Sequence, residues 1–152
     1  MNKDLLRTAR RLATAPRGKP RQSDLKRSVS TSYYALFHAI AGECADRLIG
    51  TGPNVPRRAW LQTFRALDHG AAKRACGKLL AHGFPQDLVD VGRAFVPLQQ
   101  QRHDADYDFF HRVSLQDAQA AISLAESAID ALRRATMSDR KAFAAIVLFT
   151  KR

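Results

Sequence analysis

The chain has 152 residues, 45% of them hydrophobic and 26% charged, a length that lets one domain bury roughly 68–70% of its unfolded surface and a balance that excludes a disordered chain. No apolar run approaches the roughly 20 residues of a bilayer-spanning helix, and residues 1–21 lack the apolar stretch of a secretory signal, so we expect a cytoplasmic protein with no membrane partner. The formal net charge of +11 is uneven: residues 1–27 hold nine basic side chains against Asp4 and Asp24, which makes +7 of the total.

Residues 4–15 place Leu5, Leu6, Ala9 and Leu12 at helical spacing and stop before Pro16. The following PRGKPRQ, with two prolines, a glycine and three basic residues, reads as an exposed loop. Together they make residues 1–22 a basic helix and loop preceding a helical domain over 23–152. Arg10, Arg11, Arg17, Lys19, Arg21 and Arg27 are the candidate nucleic-acid contacts, because neutralising phosphates releases condensed counterions. RNA or DNA is the natural partner class; a solvated basic surface, or an acidic protein partner, is the alternative.

Residues 23–49 read as one long helix, with Ser23 as N-cap, Asp24 in the first turn and Gly50 just past the end. Val29, Tyr33, Leu36, Phe37, Ile40, Cys44 and Leu48 share an apolar stripe that faces a core. Beside it run Arg27, Ser30, Thr31, Tyr34 and His38, the candidate functional face. The third side carries Ser28, Ser32, Ala35, Ala39 and Gly42, small enough for a helix to approach within the bundle or across a homodimer interface.

After TGPNVP, Trp60, Leu61, Phe64 and Leu67 mark a helix that starts near Pro56. Asp68-His69-Gly70 interrupts it, with His69 read as a cap-region residue, and residues 71–81 add a short helical turn or two. Pro85 opens the next helix, with Leu88, Val91, Phe95 and Leu98 inward and Pro97 as a kink. Ser114 and Asp117 form a capping box ahead of a long apolar seam over 115–132. Residues 138–149 read as a last helix capped by Ser138, although AIVLF alone fits a strand. The sum is an all-α, up-and-down bundle of four to five main helices. Cys44 and Cys76 stand without a CxxC or a His at ligand spacing, so we expect two buried thiols, no metal and no cofactor.

Gly-rich phosphate loops, HExxH, GxSxG and EF-hand patterns are absent. Two unusual strings remain, RSVSTSYYALFH at 27–38 and QRHDADYD at 101–108. Together they resemble the HEPN family, the all-α domain named for higher eukaryotes and prokaryotes nucleotide binding. Arg27, Ser30, Tyr33, Tyr34, Phe37 and His38 match one family string; Arg102, Ala105, Asp106, Tyr107 and Asp108 resemble the other. The resemblance implies a four- or five-helix bundle, dimerisation, association with RNA, and a place in a toxin–antitoxin or defence system beside a nucleotidyltransferase-type antitoxin.

Family ribonucleases carry an Arg and, after four to six intervening residues, a His. Counting from Arg102, that position falls near Asp108, whereas His103 is too close, His111 too far, and Arg65 and His69 are separated by only three residues. The resemblance therefore implies an RNA- or nucleotide-binding protein. One alternative is a metal-independent endoribonuclease, with Arg102 steadying the phosphorane and His103 and Asp108 as further catalytic candidates; the other is a non-catalytic protein-interaction subunit. Tyr34, His38, Asp106 and Tyr107 complete the candidate face. A purely structural reading has an exposed Arg102 paired with Asp106 one turn on, the Tyr107 ring packed into the bundle, and Tyr34 and His38 as satisfied polar groups.

Overall fold

Apolar residues recurring every three to four positions dictate helices, and a computed structural model, which describes residues 2–15 and 17–149, contains seven of them. They are α1 (Asn2–Leu12), α2 (Gln22–Leu48), α3 (Arg57–Ala66), α4 (His69–Cys76), α5 (Gln86–Tyr107), α6 (Leu115–Arg134) and α7 (Met137–Leu148). Among the described residues there is no strand, so AIVL is helical, with Phe149 as the C-cap, and the fold is an all-α bundle. No helix among them is long and apolar enough to cross a membrane.

α2 is the axis: it packs against α1, α3, α5, α6 and α7. Its apolar stripe fills the centre, where Val29, Tyr33, Leu36, Ile40 and Cys44 are buried with Phe95 of α5 and Phe143 of α7. The small-residue side is consumed inside the chain. Ser28, Ser32, Ala35 and Ala39 are all buried, and Ser28 Oγ donates to the Ala9 carbonyl of α1 at 2.7 Å. That face is therefore not available to a second copy. α1 is correspondingly part of the core through Leu6, Ala9 and Ala13, and it ends at Leu12, before the expected 15; Pro16, the expected stop, lies outside the described residues.

Three expected helix starts shift by one or two residues. α2 begins at Gln22 with Arg21 in the cap position, because Gln22 is drawn to Val113, donating to its carbonyl at 2.9 Å and accepting from its amide at 2.5 Å. Ser23 thus lies inside the helix rather than capping it. α7 is capped by Thr136, not Ser138: the Thr136 hydroxyl accepts from the Asp139 amide, the spacing an N-cap requires. Pro85 is the cap of α5 rather than its first residue. The capping box of Ser114 and Asp117 forms as expected, as does the break at Asp68, whose carboxylate accepts from Ala71 N at 2.8 Å.

Pro97 sits inside α5 without ending it. Both Pro97 and Arg93, whose carbonyl loses its helical partner, are exposed residues, so water can satisfy what the proline removes. At Gly92 the same helix is held tightly against the end of α4: a Cβ there would stand 2.5 Å from the Cys76 carbonyl oxygen and 2.9 Å from Leu79 Cδ1. This close approach fixes α4, and with it His69, against α5. Cys44 and Cys76 are free and buried, and burial pushes both thiols up to about 12, so they are inert.

Candidate functional site

The site is built where the middle of α2, the start of α4 and the last turns of α5 meet. Arg102 of α5 is only 8% exposed, which corrects the expectation of a surface arginine. Its guanidinium carbon lies 5.1 Å from the Tyr33 ring centroid and 5.6 Å from that of Tyr34, so two ring faces substitute for part of its hydration. Asp106, one turn on, approaches to 3.7 Å with one carboxylate oxygen, while the other accepts from Ser30 Oγ. Arg102 Nε has no hydrogen-bond partner among the described residues. A buried cation with one distant, half-shared carboxylate retains most of its capacity to hold an anion.

Behind it lies an aromatic–histidine wall. The Tyr33 hydroxyl is 2.5 Å from His69 Nδ1, the His69 ring stacks on Phe37 at 4.0 Å and 18°, and Gln99 Nε2 donates to the His69 carbonyl at 3.0 Å. Burial pushes the Tyr33 hydroxyl far above its ordinary value, overcoming the lowering by Arg102. Burial lowers His69, and the charge of Arg102 lowers it further. At neutral pH both groups are uncharged. The buried Tyr33 proton then needs an acceptor, which assigns it to Nδ1 and leaves the His69 proton on Nε2, making that nitrogen a donor. His38 is also lowered by burial; its ring packs near Tyr34, Phe37 and Phe64, and its Nδ1 has no partner among the described residues. His38 is thus not the satisfied group expected.

Lys73, Gln99, Gln100, Arg102 and His103 line a cavity of about 260 Å³ beside this wall. His103 is exposed, and its ring lies 4.9 Å from that of Tyr107, which is itself 70% exposed rather than packed into the bundle. Asp108 does not join the cavity lining: its carboxylate accepts from the Phe110 amide at 3.0 Å and shapes the next loop. Of the three catalytic candidates, then, the structure brings Arg102 and His103 together and directs Asp108 elsewhere. Lys73 and Arg102 bring two cations to the cavity, suited to a phosphate or another small anion, whereas the amide donors of Gln99 and Gln100 are spent on the His69 carbonyl and on Asp104, and Gln99 Oε1 is a buried acceptor without a partner among the described residues. No three His, Cys, Asp or Glu side chains among the described residues converge as a metal site.

Comparison of the chain with models of protein families, with curated proteins and with solved structures gives no match. The reading of the site therefore rests on its residues.

The basic N-terminal residues form a second patch. Arg10, Arg11, Arg17, Lys19 and Arg21 border a cleft of about 880 Å³ at the junction of α1 and α2. Two of them are partly spent, Arg10 on Glu126 of α6 and Arg21 on Asp24 at 3.1 Å. Arg11, Arg17 and Lys19 are exposed, as is Arg27 further along α2. Sequence reasoning missed Lys73, Gln99 and the role of His69. The Asp68-His69 dipeptide reads as a helix start, which it is, and only the packing of α4 on α5 turns its imidazole toward Tyr33.

Proposed function

We propose that this chain is a HEPN-like, cytoplasmic RNA- or nucleotide-binding protein of a toxin–antitoxin or defence system, and that the Arg102 cavity takes a phosphate group. The observation that carries this reading is the state of Arg102: buried, set against two tyrosine rings, 3.7 Å from its one carboxylate, and opening on a cavity it shares with Lys73. The charge of +11 and the cleft at α1 and α2 supply the long-range field that draws a polyanion. A homodimer and a nucleotidyltransferase-type antitoxin belong to the same proposal and rest on the family resemblance; sedimentation velocity and the identity of the neighbouring reading frame test them.

Titration of a fluorescein-labelled single-stranded RNA with the full chain tests the reading. Binding should weaken steeply between about 50 and 200 mM salt as phosphate contacts are screened. Absence of binding at the low-salt end overturns it.

Metal-independent cleavage is the second reading, favoured by one observation: two neutral imidazoles, His69 and His38, flank the tyrosines under Arg102 and supply ring nitrogens where the Asp108 position has none. With His69 Nδ1 engaged by Tyr33, proton abstraction there requires that bond to break, so we expect weak or no cleavage by the native protein. Robust cleavage in the presence of a chelator promotes the second reading to the first.

A further inference from the structure

Residues 107–110 hold three aromatic rings in water: Tyr107, Phe109 at 86% exposure and Phe110 at 85%. Of the other phenylalanines, Phe37, Phe64, Phe84, Phe95 and Phe143 pack in or on the core, as expected when burying such a ring is worth roughly 1.5–3 kcal/mol, while Phe149, just past the end of α7, is 71% exposed. The loop that displays these rings is tied down at several points. Asp108 accepts from the Phe110 amide, Lys26 Nζ donates to the carbonyls of Asp108 and Phe109 at 3.3 and 3.5 Å, and Gln22 grips both backbone groups of Val113. The two phenylalanine rings stand edge to face, 5.5 Å apart. Exposed rings on a braced loop are preorganised to receive something flat.

What surrounds them says what that is. On one side the tilted pair of His103 and Tyr107 leads into the cavity of Arg102 and Lys73. On the other, the Gln22–Val113 clamp joins the loop to the start of α2, next to Arg21 and the basic cleft. An aromatic platform bordered by two cationic patches is the combination that binds a polyanion with free ring faces, and in a duplex those faces are covered by neighbouring base pairs. We propose that loop 107–110 stacks the bases of single-stranded RNA whose phosphates run between the Arg102 cavity and the cleft at α1 and α2. The inference rests on the RNA reading above and adds to it the single-stranded substrate class and the residues that select it.

The test compares the native chain with Phe109→Ala/Phe110→Ala and with Phe109→Trp/Phe110→Trp on a labelled single-stranded RNA and a blunt RNA duplex of equal length. The alanine pair should lose roughly tenfold in single-strand affinity for each base no longer stacked, keep the native salt slope because no charge is removed, and leave duplex binding unchanged; the tryptophan pair should restore single-strand affinity. If the native chain binds neither RNA, the RNA reading fails and this inference with it. If the native chain binds RNA but the alanine pair binds the single strand equally well, or loses both substrates in parallel, the RNA reading survives and the platform is overturned. Sedimentation of the same proteins covers the remaining occupant: a native dimer that becomes a monomer in the alanine pair, with single-strand affinity intact, makes the loop an interface between copies and also overturns the platform.

Discussion

Two buried arginine clusters lie along α2, and they are resolved in opposite ways. Toward its C-terminal end Glu43, 7% exposed, receives Arg47 at 3.1 Å and Arg140 of α7 at 2.7 Å. One carboxylate sits between two guanidiniums, and each cation has a close anion. Toward the middle of the helix Arg102 has ring faces, a carboxylate at 3.7 Å that also serves Ser30, and an open cavity. The first arrangement locks α7 onto α2; the second leaves a cation whose strongest partner is still to arrive. Burial of an arginine is thus no guide to its role until its anions are counted.

Removing the carboxylate of the first cluster should have the largest effect on the fold. Glu43→Gln leaves two mostly buried guanidiniums facing each other, and we expect a loss of about 3 kcal/mol in urea unfolding, with RNA affinity in the folded fraction unchanged. An affinity loss there would break the contrast.

Gly92→Ala comes next. A Cβ 2.5 Å from a backbone carbonyl cannot be absorbed by a rotamer change, so α4 must move off α5, at a cost of about 1–3 kcal/mol. Because α4 carries His69 and Lys73, RNA affinity should fall as well, which distinguishes this variant from Glu43→Gln. Calorimetry and anisotropy on the same sample read both effects.

The histidines sharpen the contrast through pH. His69 and His38 are lowered in the folded state, so the unfolded chain binds protons more readily. Their contribution to stability is complete above the ordinary value of 6.5 and declines as pH falls from there through the lowered folded values. His69→Gln should flatten that acid-side decline in a series of urea titrations; an unchanged decline would show that His69 titrates as it does in the unfolded chain.

The smallest effect belongs to Asp106→Asn. Asp106 is about a third exposed and distant from Arg102, so we expect a stability change within about 0.5 kcal/mol and a modest gain in RNA affinity as a competing anion is removed. A large loss of stability would make Arg102 and Asp106 a structural clamp and erase the difference between the two clusters.

The bundle was legible because its evidence is local: apolar spacing, Asp68, the Ser114 and Asp117 box, and Pro85 each act within a few residues. Helix starts failed where a distant partner intervened, as Val113 does for Gln22. In the site, Arg102, Tyr34, His38 and His103 were readable as an unusual polar set beside large aromatics. The burial of Arg102 was not, since a surface arginine and one laid over two rings share the same sequence. His69 stayed hidden for a related reason: Asp108, at the position counted from Arg102 for a His, is a loop-shaping residue, while the imidazole arrives from a separate helix positioned by the close contact at Gly92. Of the two uses open to the small-residue side of α2, a helix of the bundle or a second copy, the structure shows the first, and the helix is α1, read from the sequence as a basic segment ahead of the bundle.

The most direct measurement is the salt dependence of single-stranded RNA affinity for the native chain and for Arg102→Gln, which keeps a hydrogen-bonding side chain but no charge. If Arg102 holds a phosphate, the variant should bind at least several-fold more weakly in low salt, its log–log slope should be shallower by about one, and its unfolding free energy should fall by less than that of Glu43→Gln. A variant with native affinity and native slope, or one destabilised as severely as Glu43→Gln, would contradict the assignment of Arg102 as the phosphate-binding residue.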